Sequence, residues 1–303
     1  MKHRILSAVL GCAGLISVNA AVAEELTGTL KKVADSGKIT MGVRDSSGVL
    51  SYTLGDGKYT GYHVEICQKA IENISKQIGK KLEVAYQPVT SQNRIPLVTN
   101  GTVDLECGST TNNATRQKDV SFAVTTFVEE VRLAVKADSG ITSITQLANR
   151  KVATTTGTTS VQTLRKNERA NGVNFDEVYG KDHADSFLLL ETGRADAFVM
   201  DGSLLAGLIA RAKNPADYKV AGEVLNVEPI AIMVRKDDVQ MKKAVDDTIK
   251  GMIKSGELAK TYDKWFMQPT PPSGAKMSMP MSENLKAALA NPNDNPMESY
   301  AKK

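Results

Sequence analysis

The chain has 303 residues, a formal net charge of +4 and 5% aromatic residues, with one tryptophan. So balanced a charge excludes a chain built to hold nucleic acid or an anionic membrane surface, and so few aromatics exclude a base-stacking platform. The length is ample for two modest domains.

In chain order, the first pattern is a secretory leader. Lys2, His3 and Arg4 form a basic start, Ile5 to Val18 is mostly apolar, and Ala21-Val22-Ala23 is a small-x-small cleavage site before Glu24. Residues 1–23 are therefore expected to leave as a signal peptide, giving a soluble, exported protein. An uncleaved anchor is the alternative, because the apolar run approaches the length of a membrane span. Val9-Leu10-Gly11-Cys12 resembles a lipoprotein cleavage box, but the apolar run before Cys12 is short for one. Removal takes two of the 38 Lys and Arg and none of the 34 Asp and Glu, so the remaining chain carries +2. Cys67 and Cys107 remain. They either bridge in an oxidising compartment or serve as two small buried hydrophobes. There is no CxxC, and His63 and His183 stand far apart, so no metal site is expected.

An α/β alternation follows. Ile39 to Val43 reads as a strand ending at Arg44. Tyr62 to Ile78 carries apolar or small residues at Cys67, Ala70, Ile71, Ile74 and Ile78, the stripe of a helix packed on one face. Leu82 to Pro88 is a strand, Arg94 to Asn100 a short helix stopped by Gly101, and Val103 to Cys107 a strand. Pro96 suits the first turn of that helix, where a missing N–H matters least. Further on, Lys151 to Thr154 is a strand, Gly157-Thr158-Thr159-Ser160 opens a helix, and Asp185 to Thr192 is a helix stopped by Gly193. Ala195 to Met200 is a strand ending at Asp201. Val124 to Val131 and Val227 to Ile232, extended and rich in Val, are candidate crossings between two halves. After Trp265 come Pro269, Pro271 and Pro272, then a Met-, Asn- and Pro-rich tail that either wraps a surface or frays.

The halves share a weak repeat. Leu97-x-x-x-Gly101-Thr-Val-Asp104-Leu105 and Leu189-x-x-x-Gly193-Arg-Ala-Asp196-Ala197 each join a helix, a glycine stop and an Asp-led strand that runs into a polar loop. Open α/β sheets bind ligands at such carboxyl ends of strands. Two loops there are chemically distinctive: Ser91-Gln92-Asn93-Arg94, and Glu106-Cys107-Gly108-Ser109-Thr110-Thr111-Asn112-Asn113-Ala114-Thr115-Arg116. Each clusters hydroxyls and amides around an arginine, whose planar fork fits a carboxylate bidentately while hydroxyls add donors to the same oxygens. Several such arginines suit a small ligand with more than one carboxylate. Ordinary polar loops with solvated arginines are the alternative.

These segments carry a resemblance. The chain is similar to the periplasmic amino-acid-binding proteins of ABC importers (family 3 solute-binding proteins), and within them to the glutamate/aspartate-binding branch, from about Leu30 to Pro272. It rests on Ser91 to Leu97, Glu106 to Asn113, Gly157 to Ser160, Lys181-Asp182-His183-Ala184-Asp185-Ser186-Phe187 and Lys264-Trp265-Phe266. Gly157 to Ser160 belongs to the wide family, whereas the first two segments are much more specific. The implied fold is α/β and periplasmic-binding-protein-like (type II), two lobes joined by two crossing strands with a ligand cleft between them. Lobe 1 is expected from residues 24–127 plus 229–303, and lobe 2 from 128–228.

The resemblance also implies a site. Arg116, with Thr111 beside it, matches the clamp on an α-carboxylate, and Thr159 faces the same anion from a helix N-terminus. Asp201 matches the acid that takes the α-ammonium, with Ser109 sharing it. Arg44, Ser91, Arg94 and His183 fall to the distal carboxylate, whose contact would favour the protonated form of His183. Asp182 and Asp185 serve their loop rather than the ligand. The segment Asp45 to Tyr52 lacks the Pro-Phe/Tyr that many relatives carry before the aromatic ligand wall, which leaves Tyr52 as the candidate for that wall. The implied function is capture of L-glutamate or L-aspartate in the periplasm by cleft closure and delivery to the permease subunits of an ABC importer, by a monomer without cofactor or catalytic residues. The alternatives are an exported enzyme on the same fold, similar to cyclohexadienyl dehydratases with Glu106 or His183 as general acid or base, and a ligand-loaded partner of a membrane receptor.

Overall fold

The computed structural model describes residues 25–300; the leader expected at residues 1–23 lies outside them. The chain opens with α1 (Gly28–Ser36), β1 (Lys38–Val43), a small hairpin sheet of β2 (Ser46–Ser47), β3 (Ser51–Gly55) and β4 (Lys58–Thr60), then α2 (Tyr62–Gln77). It continues through β5 (Glu83–Pro88), α3 (Arg94–Thr99), β6 (Leu105–Glu106) and β7 (Val120–Phe122). Strand β8 (Phe127–Lys136) leads to β9 (Lys151–Thr155), α4 (Thr159–Asn171), β10 (Asp176–Gly180), α5 (His183–Glu191), β11 (Ala197–Asp201) and α6 (Gly202–Arg211). Strand β12 (Tyr218–Ile230) returns the chain to β13 (Met233–Arg235), α7 (Val239–Ser255), α8 (Glu257–Tyr262) and α9 (Glu283–Ala290).

Two five-stranded sheets result, ordered β5-β1-β6-β13-β7 and β10-β9-β11-β8-β12. Each has three parallel strands, β5-β1-β6 and β10-β9-β11, and antiparallel partners beyond them. They belong to the two lobes of a periplasmic-binding-protein-like fold. Strands β8 and β12 run antiparallel from one lobe to the other, with Phe127 opposite Ile230 and Val131 opposite Asn226. Ala123 N–H donating to the Ile232 carbonyl extends their pairing toward the first sheet.

Local chemistry explains the elements. Helix α2 buries Cys67, Ala70, Ile71 and Ile74, the stripe expected of it, and packs on α7, which buries Met241, Val245, Ile249 and Met252. The second lobe has its own core of Val131, Leu133, Val135, Leu147, Val152, Leu164 and Val199. The weak repeat is a register clip. Asp104 accepts the Thr40 N–H at 2.8 Å, and Asp196 accepts the Lys151 N–H at 3.0 Å, so each Asp ties its strand to the start of the neighbouring parallel strand.

Some boundaries move. Helix α5 begins at His183, two residues before the expected start, because Asp182 takes the extended N-cap position. The ladder around Leu105–Glu106 is shorter than the strand expected from Val103 to Cys107. The tail wraps. Met277, Met279 and Met281 pack on the core, Ser282 caps α9, and Asn293 accepts the Thr125 N–H. Asn112 donates to the Asp294 carbonyl at 2.9 Å and accepts the Met297 N–H, so the tail ends against the loop that carries Thr111.

Cys67 and Cys107 are bridged, joining α2 to the loop after β6 across a sequence separation of 40. A loop of that length restricts the unfolded chain by about 4 kcal/mol on chain-entropy grounds. Reduction by dithiothreitol is expected to lower the unfolding free energy of the ligand-free protein by about that amount, read as a lower denaturant midpoint. An unchanged midpoint with both thiols free would show that the bridge adds nothing.

Candidate functional site

The strand ends of the first lobe bring three arginines together. Arg44 follows β1, Arg94 opens α3, and Arg116 lies in a single 3-10 turn, and all three are buried. Burying three like charges is costly unless each finds acceptors. Arg44 Nη2 donates to Ser91 Oγ at 3.2 Å and to Asp182 Oδ1 at 2.7 Å, and lies 3.1 Å from His183 Nε2. Arg94 Nη1 donates to the Ser109 carbonyl at 3.3 Å, and Arg116 donates to the carbonyls of Thr111 at 2.9 Å and Gly157 at 3.3 Å. These bonds do not use up the donors. Arg44 Nε and Nη1 and Arg94 Nε are buried without a hydrogen-bond partner.

Opposite them, Asp201 ends β11 and is buried, with Oδ1 lacking any hydrogen-bond partner. Burial first, then the carboxyls of Glu129 and Glu228, push its acid well above the usual range, against the pull of Arg94 and Arg116. Ser109 Oγ bonds to Ser47 Oγ at 3.0 Å, while the Ser109 carbonyl takes Arg94.

Thr111 and Thr159 approach from the two lobes, their hydroxyls 3.2 Å apart. Both donate to Glu228 Oε2 at 2.6 Å. Each hydroxyl has one proton, so what Thr159 still offers an anion is its backbone N–H, as the first residue of α4. Thr159 is not the helix cap; Thr158 holds that position.

His183 opens α5 and faces Arg44. Burial first, then the guanidinium of Arg44, outweigh Asp182 and hold the imidazole down to about 3, so it is neutral. Arg44 Nη2 can only donate, and its two protons are shared among Ser91, Asp182 and His183 Nε2, so Nε2 is an acceptor and Nδ1–H donates to Thr155 Oγ1 at 3.0 Å. Both ring nitrogens are thereby engaged, which leaves His183 no free nitrogen for the general acid or base role weighed above. Asp182 does more than serve its loop: it crosses the cleft to Arg44 and accepts the Ser46 hydroxyl at 2.6 Å. Burial is the largest single influence and would raise its carboxyl, but the Arg44 guanidinium, the neighbouring imidazole and the Ser46 hydroxyl together outweigh it and lower the acid to about 2. Tyr52 is buried, its hydroxyl donating to the Pro271 carbonyl at 2.6 Å. Among the described residues no group of three or more His, Cys, Asp or Glu could hold a metal ion.

The structure thus brings Arg44, Ser91, Arg94, Ser109, Thr111, Arg116, Thr159, His183 and Asp201 together through these contacts and through the pull of Arg94 and Arg116 on Asp201. It adds Glu228 and Glu129. Glu129 stands opposite Glu228 on the crossing strands and accepts the Ser203 N–H and hydroxyl; burial first pushes its carboxyl up to about 8. Their signal in the sequence is a charged residue inside an apolar extended run, Val128-Glu129-Glu130-Val131 and Val227-Glu228-Pro229-Ile230.

Known proteins are similar along most of the chain. The family model of bacterial extracellular solute-binding proteins, family 3, matches residues 39–268. An L-glutamate/L-aspartate-binding protein of Pseudomonas aeruginosa is 47% identical over 280 residues, covering 91% of this chain and 92% of its own. A glutamate/aspartate import solute-binding protein of Escherichia coli K12 is 44% identical over 267 residues, 88% of each chain. Among solved structures, a mutant of ArgBP from T. maritima matches with a TM-score of 0.71 at 23% identity, covering 80% of this chain and 100% of that one.

Proposed function

Because this chain belongs to the bacterial extracellular solute-binding proteins of family 3, we propose that it captures L-glutamate or L-aspartate in its cleft and delivers the amino acid to the permease of an ABC importer. Residues 1–23 direct it to the periplasm as a cleaved signal peptide, and the lobes comprise residues 24–127 with 229–303, and 128–228.

One observation carries the ligand assignment. Unpartnered buried donors on Arg44 and Arg94 face a site whose other side holds an unpartnered buried carboxylate oxygen on Asp201. An acidic amino acid supplies the missing partners together, a distal carboxylate for the arginines and an ammonium for Asp201. Arg116 and the N-terminus of α4 take the α-carboxylate, while Ser91 and His183 hold Arg44 in place. Contacts from Thr159, His183 and Asp201 arise only when the second lobe closes, so the ligand favours the closed form by its differential affinity.

The test is calorimetric titration of refolded, ligand-free protein with L-glutamate, L-aspartate, L-glutamine, L-asparagine and a cyclic diacid, because exported binders that purify loaded mask further binding. The acidic pair is expected to bind at least about a hundredfold more tightly than the amides, which leave two buried arginines under-paired. Equal affinity for acids and amides overturns the assignment, and heat from a cyclic diacid alone moves it to the enzyme reading.

A further inference from the structure

The lobes also meet along a second seam. The turn between β2 and β3 in the first lobe carries Gly48, at φ +58°, and lies directly on α6 of the second. A Cβ on Gly207 would stand 2.8 Å from the Gly48 Cα, and a Cβ on Gly48 would stand 3.1 Å from the Leu204 Cα. Backbone touches backbone here, with no room for a side chain on either partner. Arg211, the last residue of α6, lies over the Tyr52 ring with its guanidinium carbon 4.2 Å from the centroid, and Nη1 donates to the carbonyls of Gly48 and Gly207 at 3.3 Å each. Its Nε and Nη2 are buried without a hydrogen-bond partner, and the ring face supplies the negative potential they meet. Tyr52 is anchored in the first lobe by Pro271 and by edge contact with Trp265, their centroids 6.2 Å apart. Ser46 completes the seam, donating to Asp182 and accepting the Ala184 N–H at 3.2 Å.

We propose that Gly48, Gly207, Arg211 and Tyr52 form a latch that sets affinity for every ligand from outside the ligand site, by stabilising the closed arrangement itself. The proposal rests on the capture reading. Observed affinity is the intrinsic affinity of the closed form scaled by how far that form is populated, so a latch that touches no ligand acts on all of them alike. The two glycines are the steric condition for closure, and the arginine on the tyrosine face is the attraction.

The experiment compares wild type, Arg211→Ala, Arg211→Lys and Gly207→Ala by calorimetric titration with L-glutamate and L-aspartate, by stopped-flow dissociation, and by the unfolding midpoint without ligand. Arg211→Ala is expected to weaken both ligands by about tenfold, the scale of a desolvated cation–π contact, through faster dissociation and at an unchanged midpoint. Arg211→Lys recovers part of the loss because it keeps a cation over the ring. Gly207→Ala weakens both ligands while its midpoint holds or rises, since Ala is the better helix former. Wild-type affinity in both variants overturns the latch, and so does a loss confined to one ligand or one that follows a lowered midpoint. Absence of heat from wild type with any amino acid instead defeats the capture reading.

Discussion

Asp201→Asn is expected to abolish capture of every amino acid, with affinities for glutamate, aspartate and glutamine falling together by at least about a hundredfold. Asp201 is buried and one of its oxygens has no partner in the protein. Truncating one member of a buried charge pair costs about 2–5 kcal/mol, since the other charge is left unpaired. An asparagine keeps the shape but removes the charge, and half of what it presents to an ammonium is another donor. The same substitution should stabilise the ligand-free protein near neutral pH. The Asp201 acid is raised in the fold, by burial first and then by Glu129 and Glu228. The folded state therefore binds more protons than the unfolded one above the ordinary carboxylate range, and stability falls as pH rises from there toward the raised value. Without an ionisable group at this position that loss disappears. Titration of the variant, alongside thermal unfolding at neutral pH, measures both effects. Glutamate affinity within a few-fold of wild type would remove Asp201 from the ammonium site.

The trade between stability and binding at Asp201 also shows what a linear sequence conveys. The arginine loops are legible because their chemistry is local: hydroxyls, amides and a guanidinium within a few residues, at the end of a strand. The Asp104 and Asp196 repeat is legible for the same reason, as each Asp closes a bond to the adjacent strand whose start it marks. Glu228 is not, because its meaning comes from two threonines 117 and 69 residues away. Asp182 resembles a loop acid until the fold sets it against Arg44, 138 residues distant. Tyr52 gives no local sign of Arg211, which covers its ring from far along the chain. Proline and asparagine in the tail disguise α9, whose short apolar face of Leu285 and Ala288 becomes a helix through its Ser282 cap and its packing. For Glu228, Asp182 and Tyr52 the missing information is a partner far along the chain, which no local period encodes.

That distinction between local donors and distant partners separates the two distal arginines. Arg44 already has a carboxylate, Asp182 at 2.7 Å, and so enters the site partly neutralised. Arg94 has none: among the described residues its bond is to the Ser109 carbonyl, and Nε is unpartnered. Burial first, then Arg116 and Arg44, lower its pKa well below the ordinary guanidinium value, so the cation is held where it is least comfortable. A ligand carboxylate relieves that cost, and a neutral amide does not. Arg94→Ala is therefore expected to weaken L-glutamate by about a hundredfold or more while changing L-glutamine several-fold at most, collapsing the preference between them. Arg44→Ala should erode the same preference less, because it leaves Asp182 unpaired near the ligand and costs both ligands through the broken contact between lobes. Titration of both variants with both amino acids yields the two ratios. Equal losses for glutamate and glutamine in Arg94→Ala would move that arginine away from the side-chain carboxylate, and a larger loss of preference in Arg44→Ala would show that Asp182 does not neutralise its partner.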